Sequence, residues 1–383
     1  MALLVVVPPL GGGGLTRTIS VLLNGLDRER VKPSVALTHS LASGDRLIET
    51  LPSDVDVAAL DKKGFLDQYR VMRSLRAHID ASMPDVVLGM ATYASLMALA
   101  ARRGSLHGPA VIATEHSTPE LLKRPDRRWL LWLARRLYPQ ADAVLAVSQG
   151  LRDAVVRAYG VEPDSVQVTY SAWNEGIDEA LRDDATLGPP LGDGKGPVVA
   201  FVGRLAPGKG IDDLIRAIAI VRRTRAAQLV LVGDGPLRSS LETLARDLGV
   251  ADAVTFRGWI EAPYRHMAAA AVLVVPSHAE ALGMVIIEGL RSGAAIVATD
   301  CEWGPRELIT DGHDGLLVPV GDPVALAAAI GRILAEPGLA DRLRAAARRT
   351  SERYSPARVI GGYEELITRL AAERRDTGRT AVD

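Results

Sequence analysis

The stretch FVGRLAPGKG, Phe201 to Gly210, admits two readings, and the choice between them decides the fold. From Gly203 to Lys209 it spells G-x-x-x-x-G-K, the frame of a phosphate-binding loop. In that frame the next residue is Ser or Thr, whose hydroxyl holds magnesium. Here it is Gly210. Without the hydroxyl, Arg204 and Lys209 are left as two cations between a strand and a helix N-terminus. Such a pair can grip a diphosphate with no metal, or it can be two solvated surface charges. The acids that follow, Asp212 and Asp213, fall in a first helical turn and read as ordinary caps. Asp234 ends the apolar run QLVLVGD, but the surrounding GDGP is a plain turn and accounts for it.

Outward from this stretch, short apolar runs alternate with helical patterns along the whole chain. The N-terminal half has LLVVV (3–7), SVALTH (34–39), DVVLGM (85–90), AVIATEH (110–116), AVLAVS (143–148) and VQVTY (166–170). The C-terminal half has VVAFVG (198–203), QLVLVG (228–233), AVTFRG (253–258), AVLVVP (271–276), AAIVAT (294–299) and GLLVP (315–319). Largely apolar runs of this length predict strands covered on both faces, and the alternation predicts parallel sheets with crossover helices. Between the halves, Arg182 to Pro197 is rich in Gly, Pro and Asp and reads as a linker. The expected domains are 1–181, a linker over 182–197, 198–355, and a C-terminal helix with a frayed tail over 356–383. A length of 383 residues also favours two cores over one. Each unit should present ligand groups at the carboxyl ends of its strands, and two such edges facing each other would form a cleft.

The second constellation is PSHAEALGMVIIEGLRSGAAIVATD (276–300), in which Glu280 and Glu288 are separated by seven residues. Glu280 falls in a loop after a strand. Glu288 falls in a helix beginning near Gly283, within the apolar segment MVIIEGL. A carboxylate buried there needs a polar partner; a ribose diol or Arg291, three residues on, would each supply one. The N–H groups of Gly283, Met284 and Val285 would be free at the helix start and suited to phosphate oxygens.

GRLAPGKG followed by E-x7-E in SHAEALGMVIIEGLRSG resembles the retaining family 4 glycosyltransferases, which have the two-domain GT-B fold, and the resemblance runs over nearly the whole chain. It implies an α/β chain of two Rossmann-like domains with parallel sheets facing across a cleft. It implies that Arg204 and Lys209 hold the donor diphosphate and Glu288 the donor ribose. It places Glu280 by the donor sugar hydroxyls and the reacting carbon, and His116, in ATEHS, at the transferred sugar. Base contacts in the family are largely main-chain and would lie around Arg257 and Gly258. The glycine-rich PPLGGGGLTR (8–17), with Gly12 and Gly13, resembles the family's loop after the first strand, where bare backbone can approach a diphosphate or acceptor. Ser148 matches another family pattern but reads better as a helix N-cap. TDCEWGPRELITDGHDGLLVPVGD (299–322), with Cys301 and Glu307, resembles a subgroup acting on lipid-linked oligosaccharides and exopolysaccharides. Its Cys301 reads as a packing residue, with no base beside it. One departure is the absence of an Asn-Pro or Asn-Gly pair after the last strand of the first half, where this chain has Ser171-Ala172.

The expected partners are a nucleotide-sugar donor, with UDP the expected nucleotide, and a glycan or polyprenyl-linked acceptor. No metal and no separate cofactor are expected. Asp54-Val55-Asp56 has a D-x-D form without other ligands around it and is rejected as a metal site. A net charge of −1 gives no global field for nucleic acid. A single cysteine fits a reducing compartment, and no segment offers the 18 or so uninterrupted apolar residues of a membrane span. A cytoplasmic protein is expected, with contact at the inner face of the cell membrane as an option. LLKRPDRRWLLWLARRLYP (121–139) would make that contact, since Lys123, Arg124, Arg127, Arg128, Arg135 and Arg136 flank Trp129, Trp132, Leu133 and Leu137. A helix resting on anionic lipid and a helix packing its tryptophans inward fit this stretch equally. The alternatives to a glycosyltransferase are a P-loop-like NTPase or kinase, a sugar-nucleotide epimerase of the same architecture, and a binding module with a decayed site.

Overall fold

The computed structural model describes residues 1–10, 13–39, 46–60, 67–124, 127–182, 192, 194 and 196–380. Two compact units result. One joins Met1–Ala172 to Pro356–Asp383, and the other is Trp173–Ser355. The chain thus passes between them at Ala172/Trp173, ahead of the Gly/Pro-rich segment, which lies largely outside the described residues.

The first unit holds a seven-stranded parallel sheet in the order β3-β2-β1-β4-β5-β6-β7. Its strands are β1 Ala2–Val7, β2 Lys32–Leu37, β3 Asp56–Ala59, β4 Val86–Gly89, β5 Ala110–Glu115, β6 Ala143–Ala146 and β7 Val166–Val168. The second unit holds six parallel strands in the order β10-β9-β8-β11-β12-β13. These are β8 Val198–Val202, β9 Gln228–Val232, β10 Val254–Gly258, β11 Val272–Val275, β12 Ile296–Thr299 and β13 Leu316–Val318. The central strands are buried throughout, because helices cover both faces. Twelve of these strands coincide with the apolar runs of the sequence. The exception is β3, an edge strand of mixed burial that contains Asp56 of the D-x-D tripeptide. With one side unpaired and only four residues, it needs no continuous apolar run.

Both sheets start in the middle, run out to one edge, and return across the first strand. The reversal falls between β1 and β4 in one sheet and between β8 and β11 in the other. At such a switch point, neighbouring strand ends send their loops in opposite directions and leave a crevice for a ligand. The candidate residues Arg204 and Lys209 follow β8, and Glu280 follows β11.

The C-terminal helix spans Pro356–Thr380 and belongs to the first unit. Ile360, Tyr363, Leu366, Ile367 and Leu370 are buried in the same core as Leu3, Val5 and Ile19. Glu364 ties it down, accepting the Asp27 N–H at 2.7 Å and pairing with Arg30 at 3.2 Å.

Candidate active site

The loops after β8 and β11 touch main chain to main chain. The His278 N–H donates to the Gly208 carbonyl at 2.8 Å. Gly210 has φ 60°, and a Cβ there would lie 1.9 Å from the Pro276 carbonyl oxygen. Any side chain at 210 is therefore doubly excluded, by backbone conformation and by space. This position is the one where a magnesium-binding loop requires its hydroxyl, so the P-loop reading of the opening stretch fails on geometry. The same approach lets Lys209 reach across. Its ammonium donates to Glu280 Oε1 at 2.6 Å, and the Ser277 hydroxyl donates to the same oxygen at 2.7 Å. Ser277 is anchored in turn, through its carbonyl, by the Thr299 hydroxyl at the end of β12. The carboxylate is mostly buried and the ammonium about one-third exposed.

Arg204, five residues before Lys209 on the same loop, is exposed, and Leu205 fixes the loop by donating from its N–H to the Asp234 carbonyl at 2.9 Å. The loop after β9 comes equally close, since a Cβ on Gly233 would stand 1.9 Å from the Gly203 carbonyl oxygen. Gly233 also donates to the Gly258 carbonyl at 2.7 Å, which brings in the end of β10 and the half-buried Arg257. Gly283, with φ 95°, is the N-cap of the helix Met284–Ser292. Met284 and Val285 in its first turn are partly exposed, as anion-binding N–H groups require. Glu288 is 1% exposed. Arg291 turns away to Asp178, at 2.7 Å from its Nε, and to Glu352, and it stacks on Trp173 at 4.1 Å. Cys301 is buried and its thiol is pushed up to about 11 by burial and by the Glu280 charge, so it packs rather than reacts. Asp212, Asp213 and His278 gather beside the loop, with His278 Nε2 at 2.7 Å from Asp213. Sequence reading treated the two acids as caps only and did not pair them with a histidine 65 residues away.

In the first unit, Gly13 has φ 107° and precedes the helix Gly14–Gly25, with open space where a Cβ would stand. Gly12 lies outside the described residues. His116 follows β5, is partly buried, and has its Nε2 3.0 Å from the Thr114 hydroxyl. Burial pushes its pKa down to about 4, so the ring is neutral at physiological pH. Ser148 caps the helix Gln149–Tyr159, accepting the Leu151 N–H at 3.2 Å. In the helix Arg128–Leu137, Ala134 and Leu137 face inward, and Trp129 is partly covered. Trp132 is 63% exposed among exposed Arg128, Arg135 and Arg136. The inward packing of both tryptophans thus fails for Trp132.

The two halves of the chain match two parts of one enzyme family. Residues 12–174 match Glycosyltransferase Family 4, and residues 196–336 match Glycosyl transferases group 1. The alpha-D-kanosaminyltransferase of Streptomyces kanamyceticus is 31% identical over 340 residues, 82% of this chain and 86% of that protein. The chain belongs to glycosyltransferase family 4. The lipopolysaccharide core biosynthesis glycosyltransferase LpsD of Rhizobium meliloti is 37% identical over 223 residues, 56% of this chain and 64% of LpsD. The chain thus spans less than two thirds of LpsD's length. In fold, it is similar to Anabaena HepE in complex with UDP, with a TM-score of 0.77 and 22% identity over 96% of this chain and 100% of that one. The GT-B architecture expected of the family is the one found.

One buried group next to His116 escaped the sequence reading. Glu115, at the end of β5, is fully buried, hydrogen-bonded to the Tyr138 hydroxyl and accepting from Thr92 at 2.9 Å. An acid inside an apolar strand next to a histidine was the available signal. Burial pushes its carboxyl up to about 8, against the opposing pull of those hydrogen bonds. The folded state therefore holds this proton more tightly than the unfolded chain. The associated stability is complete below the ordinary carboxylate range and is lost as pH rises through about 8. The melting temperature of the wild type should fall relative to Glu115→Gln between about pH 5 and about pH 9. Parallel melting profiles for the two proteins would contradict the buried, protonated acid.

Proposed function

We propose that the protein is a retaining, metal-independent glycosyltransferase that moves a sugar from a UDP-linked donor to a polysaccharide or lipid-linked glycan. One observation carries this reading. Lys209 and Glu280, 71 residues apart in the chain, meet at 2.6 Å where β8 and β11 end. Family membership, a relative named for lipopolysaccharide core biosynthesis and a fold neighbour solved with UDP support it.

Arg204 and Lys209 hold the donor diphosphate, assisted by the N–H groups of Gly283, Met284 and Val285. Glu288 takes the ribose diol, and main chain around Arg257 takes the base. Glu280, oriented by Ser277 and Lys209, lies by the sugar hydroxyls and the reacting carbon. His116 contacts the transferred sugar, and the loop holding Gly12 and Gly13 admits diphosphate or acceptor. During transfer, the bond from the sugar's C1 to the diphosphate oxygen breaks and the acceptor oxygen bonds to C1 on the same face. The acceptor proton passes to the departing phosphate oxygen. The side chains act by stabilising the charge on that leaving group and by aligning the acceptor.

UDP should raise the melting temperature in the presence of chelator, and Lys209→Ala should abolish that rise. Turnover should fall about a hundredfold with it, the equivalent of a cationic contact worth on the order of 3 kcal/mol. An undiminished UDP shift in Lys209→Ala would remove this lysine from the site.

A lipid-linked acceptor would be met at the inner face of the cell membrane. No single helix among the described residues is long and apolar enough to cross a bilayer. Contact is made instead by the helix Arg128–Leu137, whose exposed Arg128, Trp132, Arg135 and Arg136 share one face. Vesicles containing phosphatidylglycerol should sediment with the protein, and neutral phosphatidylcholine vesicles should not. Trp132→Ala combined with Arg135→Ala and Arg136→Ala should lose the binding, and retained binding would exclude this face.

A further inference from the structure

The hydroxyl of Thr114, two residues before His116, is saturated in a way that admits a single arrangement of protons. Its Oγ1 lies 2.9 Å from the Gly89 carbonyl oxygen, 3.0 Å from the Ala91 N–H and 3.0 Å from His116 Nε2. A threonine hydroxyl has one proton and two acceptor positions. The Ala91 amide can only donate, and the Gly89 carbonyl can only accept. The threonine proton must therefore go to Gly89, since two acceptors would otherwise face each other at 2.9 Å. One acceptor position takes the Ala91 N–H, and the other is left for His116, which must donate from Nε2.

From this we infer that Thr114 is a positioning residue that locks His116 in its Nε2–H tautomer, so that Nδ1 is presented as a hydrogen-bond acceptor to a hydroxyl of the transferred sugar. The inference rests on the donor-sugar role given to His116 above, and it specifies the direction of that contact. A doubly protonated ring would offer a second donor at Nδ1, but burial holds the imidazole neutral down to about pH 4. Among the described residues, Nδ1 makes no hydrogen bond.

The surroundings are built to hold the arrangement. Ala91 opens the helix Ala91–Arg102 with φ 64°, a conformation that L-residues rarely adopt. Just after β4, where strand gives way to helix, its amide points at Thr114 of β5. Ser95 from the same helix accepts the Thr114 N–H at 3.0 Å and donates to Gly89 at 2.8 Å. Thr92, one residue after Ala91, reaches the buried Glu115. The two residues of β5 before His116 are thus fixed to the start of one helix. The ring itself is held by a group that can accept from it and has no proton left to give. A sugar hydroxyl approaching Nδ1 finds a lone pair, so the site selects a ligand atom that donates. A deoxy or fluoro substituent at that carbon would lose the bond.

The test reads the tautomer directly. Protein labelled with 15N-histidine is measured by long-range proton–nitrogen correlation, with the His116 signals assigned by their absence in His116→Gln. The wild type should show a neutral ring protonated at Nε2. Protonation at Nδ1 would overturn the inference whether or not any activity is found. Thr114→Val, which keeps shape and removes the hydroxyl, should shift the ring toward a tautomer mixture. It should also lower kcat for UDP release from UDP-glucose about tenfold, with the UDP thermal shift unchanged. Thr114→Ser should restore both. The Thr114→Val loss should vanish in a His116→Ala background, because a positioning residue acts only through the group it positions. An equal loss in that background, or an unchanged tautomer in Thr114→Val, would contradict the assignment. If Thr114→Val does not fold, the wild-type spectrum and Thr114→Ser still decide the matter. Absence of a UDP shift in the wild type would instead count against the parent reading alone.

Discussion

The backbone contact between Gly210 and Pro276 is the constraint on which the rest of the second unit depends. With no Cβ at 210, the loops after β8 and β11 lie carbonyl to amide, and Gly208 accepts the His278 N–H at 2.8 Å. That spacing is what allows a lysine from one loop to bond a glutamate from the other. It also removes the place a magnesium-binding hydroxyl would occupy. One steric fact therefore both excludes the nucleotide-hydrolase design and assembles the arrangement that replaces it.

The two units solve their electrostatic problems differently. Around β8 and β11 the groups are charged and partly exposed. Arg204 is open to solvent, and Lys209 is paired with a carboxylate that also takes a serine hydroxyl. Cations left in this state can exchange solvent for a phosphate oxygen at small cost, because neither has been fully dehydrated. At the end of β5 the groups are buried and neutral. His116 is held uncharged, and Glu115 keeps its proton into the alkaline range. Burial without charge suits the recognition of a neutral sugar, whose hydroxyls are discriminated by the direction of hydrogen bonds.

Much of this was legible in the chain because apolar runs in parallel sheets are continuous and glycines mark sharp turns. Twelve strands could be read this way, whereas β3, short and half-exposed, carried no such run. The positions of Lys209 and Glu280 after strands and of Glu288 inside a helix were legible, because spacing around a strand end and a helix start determines where those residues fall; their roles came from the family resemblance alone. The Ser277 and Thr299 supports could not be read, since they depend on contacts between adjacent strands. Thr114 and Glu115 were hidden for a related reason. Inside ATEHS they look like strand filler, and their partners, the start of the helix Ala91–Arg102 and Tyr138, lie more than 20 residues away in sequence. Trp132 could not be placed, because a helix rich in both arginine and tryptophan leaves the direction of its apolar face to tertiary packing.

The most direct measurement is a crystal structure of the full chain grown with UDP and excess chelator. The account predicts the diphosphate seated on the Arg204 guanidinium and the Lys209 ammonium, against the first turn after Gly283, with no ion bridging its oxygens. A nucleotide bound away from both cations, or bound only when a divalent ion is restored and coordinated, would contradict it.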